Sequence, residues 1–219
     1  MPQSRTLSPS PVLSRALLAP RSIAIVGASA DPSKVAARPL QFLRQAGYAG
    51  TIYPINARRD TVLGERAWPS LAALPEAPDH AFILAGAEGV LDAVRDCAAR
   101  GVKVATILAT GFAEAGAEGL QRVDALKEIV AETGIRILGP SSIGVVNFHA
   151  KALLTANAAF AEPNLPSGGV FVASHSGSML GALVSRGKAR SVGFAGLVSV
   201  GNEIDLTLGE ICAMTLDDP

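Results

Sequence analysis

The chain has 219 residues, of which 49% are hydrophobic and 17% charged, a balance that supports a well-buried core and excludes a disordered chain. Nineteen Lys and Arg residues balance nineteen Asp and Glu residues, so the net charge is zero and the basic footprint of a nucleic-acid binder is absent. No apolar run approaches the roughly 20 residues needed to span a bilayer, and the length allows one large domain, or one domain and part of another.

The first twenty residues are rich in Ser, Pro, Ala and Leu and carry Arg5 and Arg15 but no acid, a composition shared with transit peptides. The reading adopted for residues 1–20 is an N-terminal extension: a frayed start, then a short helix over Val12–Leu18 packing on the domain. Ala16-Leu17-Leu18-Ala19 is too short an apolar stretch for a secretory signal. Ser22–Val26 is an apolar strand that runs into Gly27-Ala28-Ser29. A dinucleotide fingerprint would place three glycines in a tight turn here, letting the backbone approach a pyrophosphate at a helix N-terminus. Only Gly27 is present; Ser29 and Pro32 hold the other positions. Pro39 suits the first position of the next helix, where its fixed φ is right and its missing N–H is not needed. That leaves a twelve-residue loop, Gly27 to Arg38, wide enough for a larger phosphorylated ligand.

Strands and helices then alternate. Thr51–Ile55, His80–Leu84, Val104–Leu108 and Ile135–Leu138 are short β-branched runs. The first helix, Leu40 to Ala46, stops at Gly47. A stripe of Ala87, Val90, Leu91, Val94 and Ala98 stops at Gly101, and a second of Leu120, Val123, Leu126, Ile129 and Val130 stops at Gly134. Repeated strand–helix–strand units with continuously apolar strands predict an α/β, Rossmann-like domain on a parallel sheet covered on both faces, with ligand at the carboxyl ends of the strands. This domain covers residues 21–160, with Val145–Phe148 and Leu153–Thr155 as a hairpin or edge pair. Residues 161–169 hold two prolines and two glycines and read as a linker. A second α/β unit follows over 170–219: strand Val170–Ala173, turn Ser174–Ser178, helix Met179–Lys188, strand Phe194–Val200 and a helix near Leu206–Met214. Its 50 residues are too few for an independent parallel-sheet domain, so the chain is expected to stop mid-domain.

The residues after the strands carry the chemistry. Asn56-Ala57-Arg58-Arg59 follows the second strand, where an NAD enzyme places Asp or Glu for the ribose hydroxyls. Two permanently charged guanidiniums suit a ribose phosphate, the 3′-phosphate of CoA or the 2′-phosphate of NADP; the alternative is a pair of solvated surface charges. Ala85-Gly86-Ala87 lets a ligand lie close to the backbone. Ala109-Thr110-Gly111-Phe112 and Gly139-Pro140-Ser141-Ser142-Ile143-Gly144 complete a polar, glycine-rich rim. In the second unit, Ser176-Gly177-Ser178 opens a helix and forms an anion site from N–H groups, hydroxyls and the helix dipole. His175 is placed as a turn-shaping residue, since adjacent Ser and His side chains point apart and do not build a triad. His80 and His149 have no partners at metal-ligand spacing and are read as structural; no metal site is expected. Cys97 and Cys212, far apart in helical patterns, are expected to be buried, reduced thiols of a cytoplasmic protein.

Val26-Gly27-Ala28-Ser29, Tyr53-Pro54-Ile55-Asn56, Thr110-Gly111-Phe112-Ala113-Glu114, Gly139-Pro140 with Gly144, Ser174-x-Ser176-Gly177 and Ser199-Val200-Gly201-Asn202 occur in this order. In that order and spacing the chain resembles the NDP-forming acyl-CoA synthetases, which include ADP-forming acetate–CoA ligases and are related to the succinyl-CoA synthetase α subunit. The resemblance covers roughly Ala19 to Pro219. It implies CoA contacts at Gly27, Ala28, Ser29, Ala30, Asn56, Arg58, Arg59, Ala85, Gly86, Ala109, Thr110, Gly111, Phe112 and Ser141. It also implies an incomplete flavodoxin-like ligase domain whose helix start at Ser176, Gly177 and Ser178 holds the phosphate of a phosphohistidine. That histidine, and the ATP-grasp domains that bind ATP and magnesium, would lie outside the matched residues, making this chain a fragment or one subunit that pairs with an ATP-grasp partner. The implied reaction joins a carboxylic acid to CoA with ATP cleaved to ADP and phosphate. The alternatives are a stand-alone CoA-binding regulatory module and an NADP-dependent oxidoreductase. Exposed half-domain surface would favour a homo-oligomer or partner chain. The chain departs from the family pattern at Ala85-Gly86-Ala87 (commonly Val-Pro-Ala), at Ser141-Ser142 (commonly Asn-Cys) and at His175 (commonly Gln or Arg).

Overall fold

The computed structural model of the chain describes residues 10–216. The elements run α1 (Pro11–Leu18), β1 (Ser22–Val26), α2 (Arg38–Ala46), β2 (Thr51–Ile55), β3 (His80–Ile83), α3 (Ala87–Arg100), β4 (Val104–Ile107), α4 (Gly116–Thr133) and β5 (Arg136–Leu138). They continue with β6 (Gly144–Asn147), β7 (Ala152–Thr155), β8 (Ser167–Ser174), α5 (Gly177–Lys188), β9 (Phe194–Ser199) and α6 (Leu208–Leu216). A short hairpin, Thr61–Val62 with Glu65–Arg66, lies between β2 and β3. The expected element ends hold to within a few residues, the largest shift being β8, which begins three residues early. The frayed start and Asp217-Asp218-Pro219 lie outside the described residues.

β1 to β5 form an all-parallel sheet in the order β2-β1-β3-β4-β5. The strands are apolar on both sides because helices cover both faces. Ala24, Ile83, Ile107 and Ile137 pack with Val90, Val94 and Cys97 of α3 and with Val123, Leu126 and Ile129 of α4. Ile23, Ile25 and Phe82 face Leu40 and Leu43 of α2 and Leu154 of β7. Leu120, expected in the buried stripe of α4, is instead 53% exposed, because the buried face of that helix runs through Gly119, Val123, Leu126 and Ile129, with Gly119 packed against the Phe112 backbone. Cys97 is buried as expected, whereas Cys212, expected to be buried, is exposed on α6, whose core side carries Leu208, Ile211 and Met214.

The second sheet has the order β8-β9-β6-β7, with β8 and β9 parallel and the other pairs antiparallel. It crosses the boundary expected at 160–170. The β6–β7 hairpin, assigned above to the first domain, bonds to β9 through Gly196–Asn147, Leu197–Val146 and Val198–Val145. Ser167, assigned to the linker, already belongs to β8. A two-stranded hairpin is marginal by itself and gains a ladder and a buried face from β9. Leu13, Ala16, Leu17 and Leu18 of α1 join Val104 and Leu138 of the first sheet to Val145, Val198, Leu206 and Met214 around the second.

Candidate functional site

The order 2-1-3-4-5 places the topological switch point between β1 and β3, where open α/β sheets bind ligands outside the carboxyl ends of their strands. Val26 lies opposite both Ile55 and Ile83, so the residues that follow these three strands emerge at one level. Gly27 donates its N–H to Ile55 O at 3.1 Å, and its φ of +84° turns the chain into the wide loop. The loop is closed by the Ser29 N–H on Ala36 O at 3.2 Å. Ser29 Oγ accepts from Asp31 N–H, and the Asp31 carboxylate accepts from the Ser33 hydroxyl at 2.7 Å and N–H at 3.0 Å. Those two Ser33 bonds hold the Asp31 carboxyl below the usual carboxylate range.

Asn56 ties this loop to the next strand. Its Nδ2 donates to Ala28 O at 2.9 Å and its Oδ1 accepts the Arg58 N–H at 2.9 Å. Arg58 and Arg59 are exposed, and neither forms an ion pair among the described residues. Ala85 and Gly86 lie across the switch point. Gly86 caps α3 without a side-chain hydrogen bond, and a Cβ placed on it would meet nothing within 4 Å. The first-turn N–H groups of α3 therefore have no side-chain cap beside an open space, a setting that suits an anion.

Ala109, Thr110 and Gly111 continue the rim, with Ala109 O accepting the Ser141 N–H at 3.0 Å. Glu114 Oε1 accepts the Gly111 N–H at 2.6 Å. The Glu114 carboxyl is held below its usual range by backbone N–H groups, its own and that of Gly111 first, with the Asn202 side chain adding to them. Two expected contact residues differ in kind from the rest. Phe112 is 0% and Ala28 1% exposed, both inside core clusters, so their side chains are closed to a ligand on this rim and serve to anchor the loops. Ser142 is also fully buried, and its hydroxyl donates to Ser199 O at 2.5 Å.

The second candidate site adjoins the first. Ser176 caps α5, its Oγ accepting from Met179 N–H at 3.3 Å and lying 3.1 Å from Ser178 Oγ. Asn157 Nδ2 donates to Gly177 O at 3.0 Å, and Gly177 lies against the Ile143 side chain, where a Cβ would collide with Ile143. His175 is 60% exposed, with Nε2 3.1 Å from Glu203 Oε1. Its ring thus meets a carboxylate of the neighbouring loop, and among the described residues it has no hydrogen bond to a serine hydroxyl. His80 is a buried core histidine, its Nε2 2.7 Å from Thr106 Oγ1. Among the described residues no cluster of His, Cys, Asp or Glu could hold a metal ion, and no helix is long and apolar enough to cross a membrane. Arg38 was not singled out from the sequence. It reaches from the start of α2 to Ala156 O at 3.1 Å and so anchors the end of the wide loop on the second sheet. Nothing in its local pattern distinguishes it from a surface arginine.

A parallel sheet whose switch point opens onto small residues, uncapped N–H groups and free guanidiniums is the architecture of the nucleotide-binding α/β class. Residues 21–147 match the CoA binding domain, and the chain belongs to that family. Residues 167–219 match the succinyl-CoA ligase like flavodoxin domain. The chain is 34% identical over 199 residues to an ADP-forming acetate–CoA ligase of Methanocaldococcus jannaschii, covering 91% of this chain and 27% of that protein. It is 33% identical over 207 residues to the alpha subunit of ADP-forming acetate–CoA ligase I of Pyrococcus furiosus, covering 93% of this chain and 44% of that subunit. The dinucleotide forming acetyl-coenzyme A synthetase 1 of Ca. Korarchaeum cryptofilum, solved in complex with phosphate and ADP, superposes with a TM-score of 0.87 at 32% identity, over 94% of this chain and 43% of that one. The chain thus spans less than half the length of these relatives. Over the shared length it corresponds to the CoA-binding N-terminal part of ADP-forming acyl-CoA synthetases, in agreement with the resemblance read from the motifs.

Proposed function

We propose that CoA lies along the carboxyl-end rim of the first sheet. Arg58 and Arg59 take the ribose 3′-phosphate, Gly27 to Ala30 and the open start of α3 at Gly86 take the pyrophosphate, and the pantetheine arm runs past Ala109–Gly111 to Ser141. The backbone of Ala28 and Phe112 and the side chain of Asn56 hold the loops in shape. Ser176, Gly177 and Ser178 then bind a phosphoryl group at the start of α5. One observation carries this reading: the segment 139–144 belongs to both places, through Ser141 at the rim and Ile143 against Gly177. The thiol end of CoA and a phosphoryl group would meet across it.

In this reading the chain supplies CoA binding and orientation to an ADP-forming acid–CoA ligase acting on a carboxylic acid in the cytoplasm. ATP and magnesium are held by an ATP-grasp domain or subunit. The test is isothermal titration with CoA, dephospho-CoA and NADPH. CoA is expected to bind about tenfold or more tightly than dephospho-CoA, because charge-assisted bonds to one phosphate are lost in the latter. The double substitution Arg58→Ala with Arg59→Ala should erase that preference. Binding of NADPH without CoA would overturn the reading.

A further inference from the structure

The loops that follow β3 and β4 are joined by a residue outside the set assigned to the ligand. Arg122 lies two turns into α4 with 14% of its side chain exposed. Its NH1 donates to Gly111 O at 2.9 Å, and its NH2 donates to Glu88, in the first turn of α3, and to Glu118, each at 2.6 Å. The Gly111 N–H is taken by Glu114 at 2.6 Å, so residues of the α4 side hold both polar groups of this rim residue. The two loops also touch: a Cβ on Gly111 would lie 3.1 Å from Ala87 Cβ.

Stability alone does not account for this arrangement. Glu88 and Glu118 are 85% and 74% exposed, and ion pairs to acids so well hydrated add little to folding. A guanidinium does, however, have a rigid fork that donates in two directions at once, to a carbonyl on one loop and a carboxylate on the next helix. An ammonium is a point charge without that geometry.

We propose that Arg122 is a positioning residue of the CoA rim, tying Gly111 after β4 to Glu88 after β3 and so setting the spacing of the two loops past which the ligand runs. This rests on the placement of CoA given above. The test compares wild type, Arg122→Gln and Arg122→Lys by amide hydrogen exchange over residues 85–89 and 109–115 without ligand, and by titration with CoA and dephospho-CoA. Arg122→Gln should exchange faster in both loops while its circular dichroism stays that of the wild type. It should bind both ligands more weakly by the same factor, on the order of tenfold, since the loops lose their spacing and the ribose phosphate site is untouched. Arg122→Lys should fall between the two, and it carries the comparison if Arg122→Gln does not fold. Unchanged exchange in both loops overturns the proposal, as does wild-type CoA affinity in a folded variant. If the wild type itself binds no CoA, the placement of the ligand fails, and the exchange comparison decides the clamp by itself.

Discussion

At the scale of single residues, burial separates groups that composition treats alike. Cys97 is sealed in α3, and burial pushes its thiol up to about 12, so it is unreactive at neutral pH, whereas Cys212 lies exposed on α6. Titration with a thiol reagent should therefore show one fast-reacting thiol, lost in Cys212→Ser, and a second only after denaturation. His80 tests the same principle with a charge. Burial lowers its pKa from 6.5 to about 4, and the nearby Ala16 and Leu17 carbonyls offset this only in part; its Nδ1 has no partner within hydrogen-bond distance. The folded protein holds it neutral, so its contribution to stability is complete above about pH 6.5 and is lost as the pH falls toward 4. The loss amounts to about 3 kcal/mol at the acidic end. Urea unfolding of wild type against His80→Leu between pH 7 and pH 4 should give a difference that shrinks over that window. A difference independent of pH would remove the assignment.

At the scale of elements, the sequence was most legible where local chemistry is decisive. The helices that end on Gly47, Gly101 and Gly134 were readable because each glycine sits in the left-handed conformation that closes a helix; at Gly101 the N–H bonds Ala98 O at 3.0 Å. The parallel strands were readable because burial on both faces leaves unbroken apolar runs. The amphipathic stripe of α4 was misjudged at Leu120, because the first turn packs through Gly119, a residue that a pattern of hydrophobic side chains does not register. For α1 the sequence suggested a packed helix, and the structure places it against strands of both sheets. Leu17 is 1% exposed within that contact. Leu17→Ala should cost about 2–5 kcal/mol and lower the unfolding midpoint of the whole described body in one transition. Two separated transitions would show that the helix does not join the sheets.

At the scale of the whole molecule, the two sheets are interlocked at the ligand rim. Asn202 donates its N–H to Pro140 O at 2.8 Å, and Gly201 beside it has a φ of +65° in direct contact with the Pro140 carbonyl. Gly201→Ala therefore combines a disfavoured backbone conformation with a collision against main chain that cannot swing away. It should cost at least about 2 kcal/mol and weaken CoA binding, measured by denaturant unfolding and titration. Farther from the rim, Arg136 Nε of β5 donates to both carboxylate oxygens of Asp205, at 3.0 and 2.9 Å, and its NH2 donates to Glu210 at 2.9 Å. Asp205 also accepts the Ile137 N–H at 2.7 Å, so the loop before α6 is bonded to the edge strand of the first sheet.

The order of the glycine-rich turns and the alternation of apolar runs with stripes were enough to determine an α/β chain with a glycine-rich rim at the strand ends, because strand burial, helix stops and turn conformations are local properties. The motifs Thr110–Glu114, Gly139–Gly144 and Ser199–Asn202 were visible as separate segments. That they converge, with Glu114 beside Asn202 and Pro140 under Gly201, depends on how the two sheets pack. The same holds for the pairing of β6 with β9 across the supposed linker, for the sealing of Phe112 into the core, and for the reach of Arg122 between two loops. Each is a contact between residues distant in the chain, and no spacing along the chain encodes which surfaces meet.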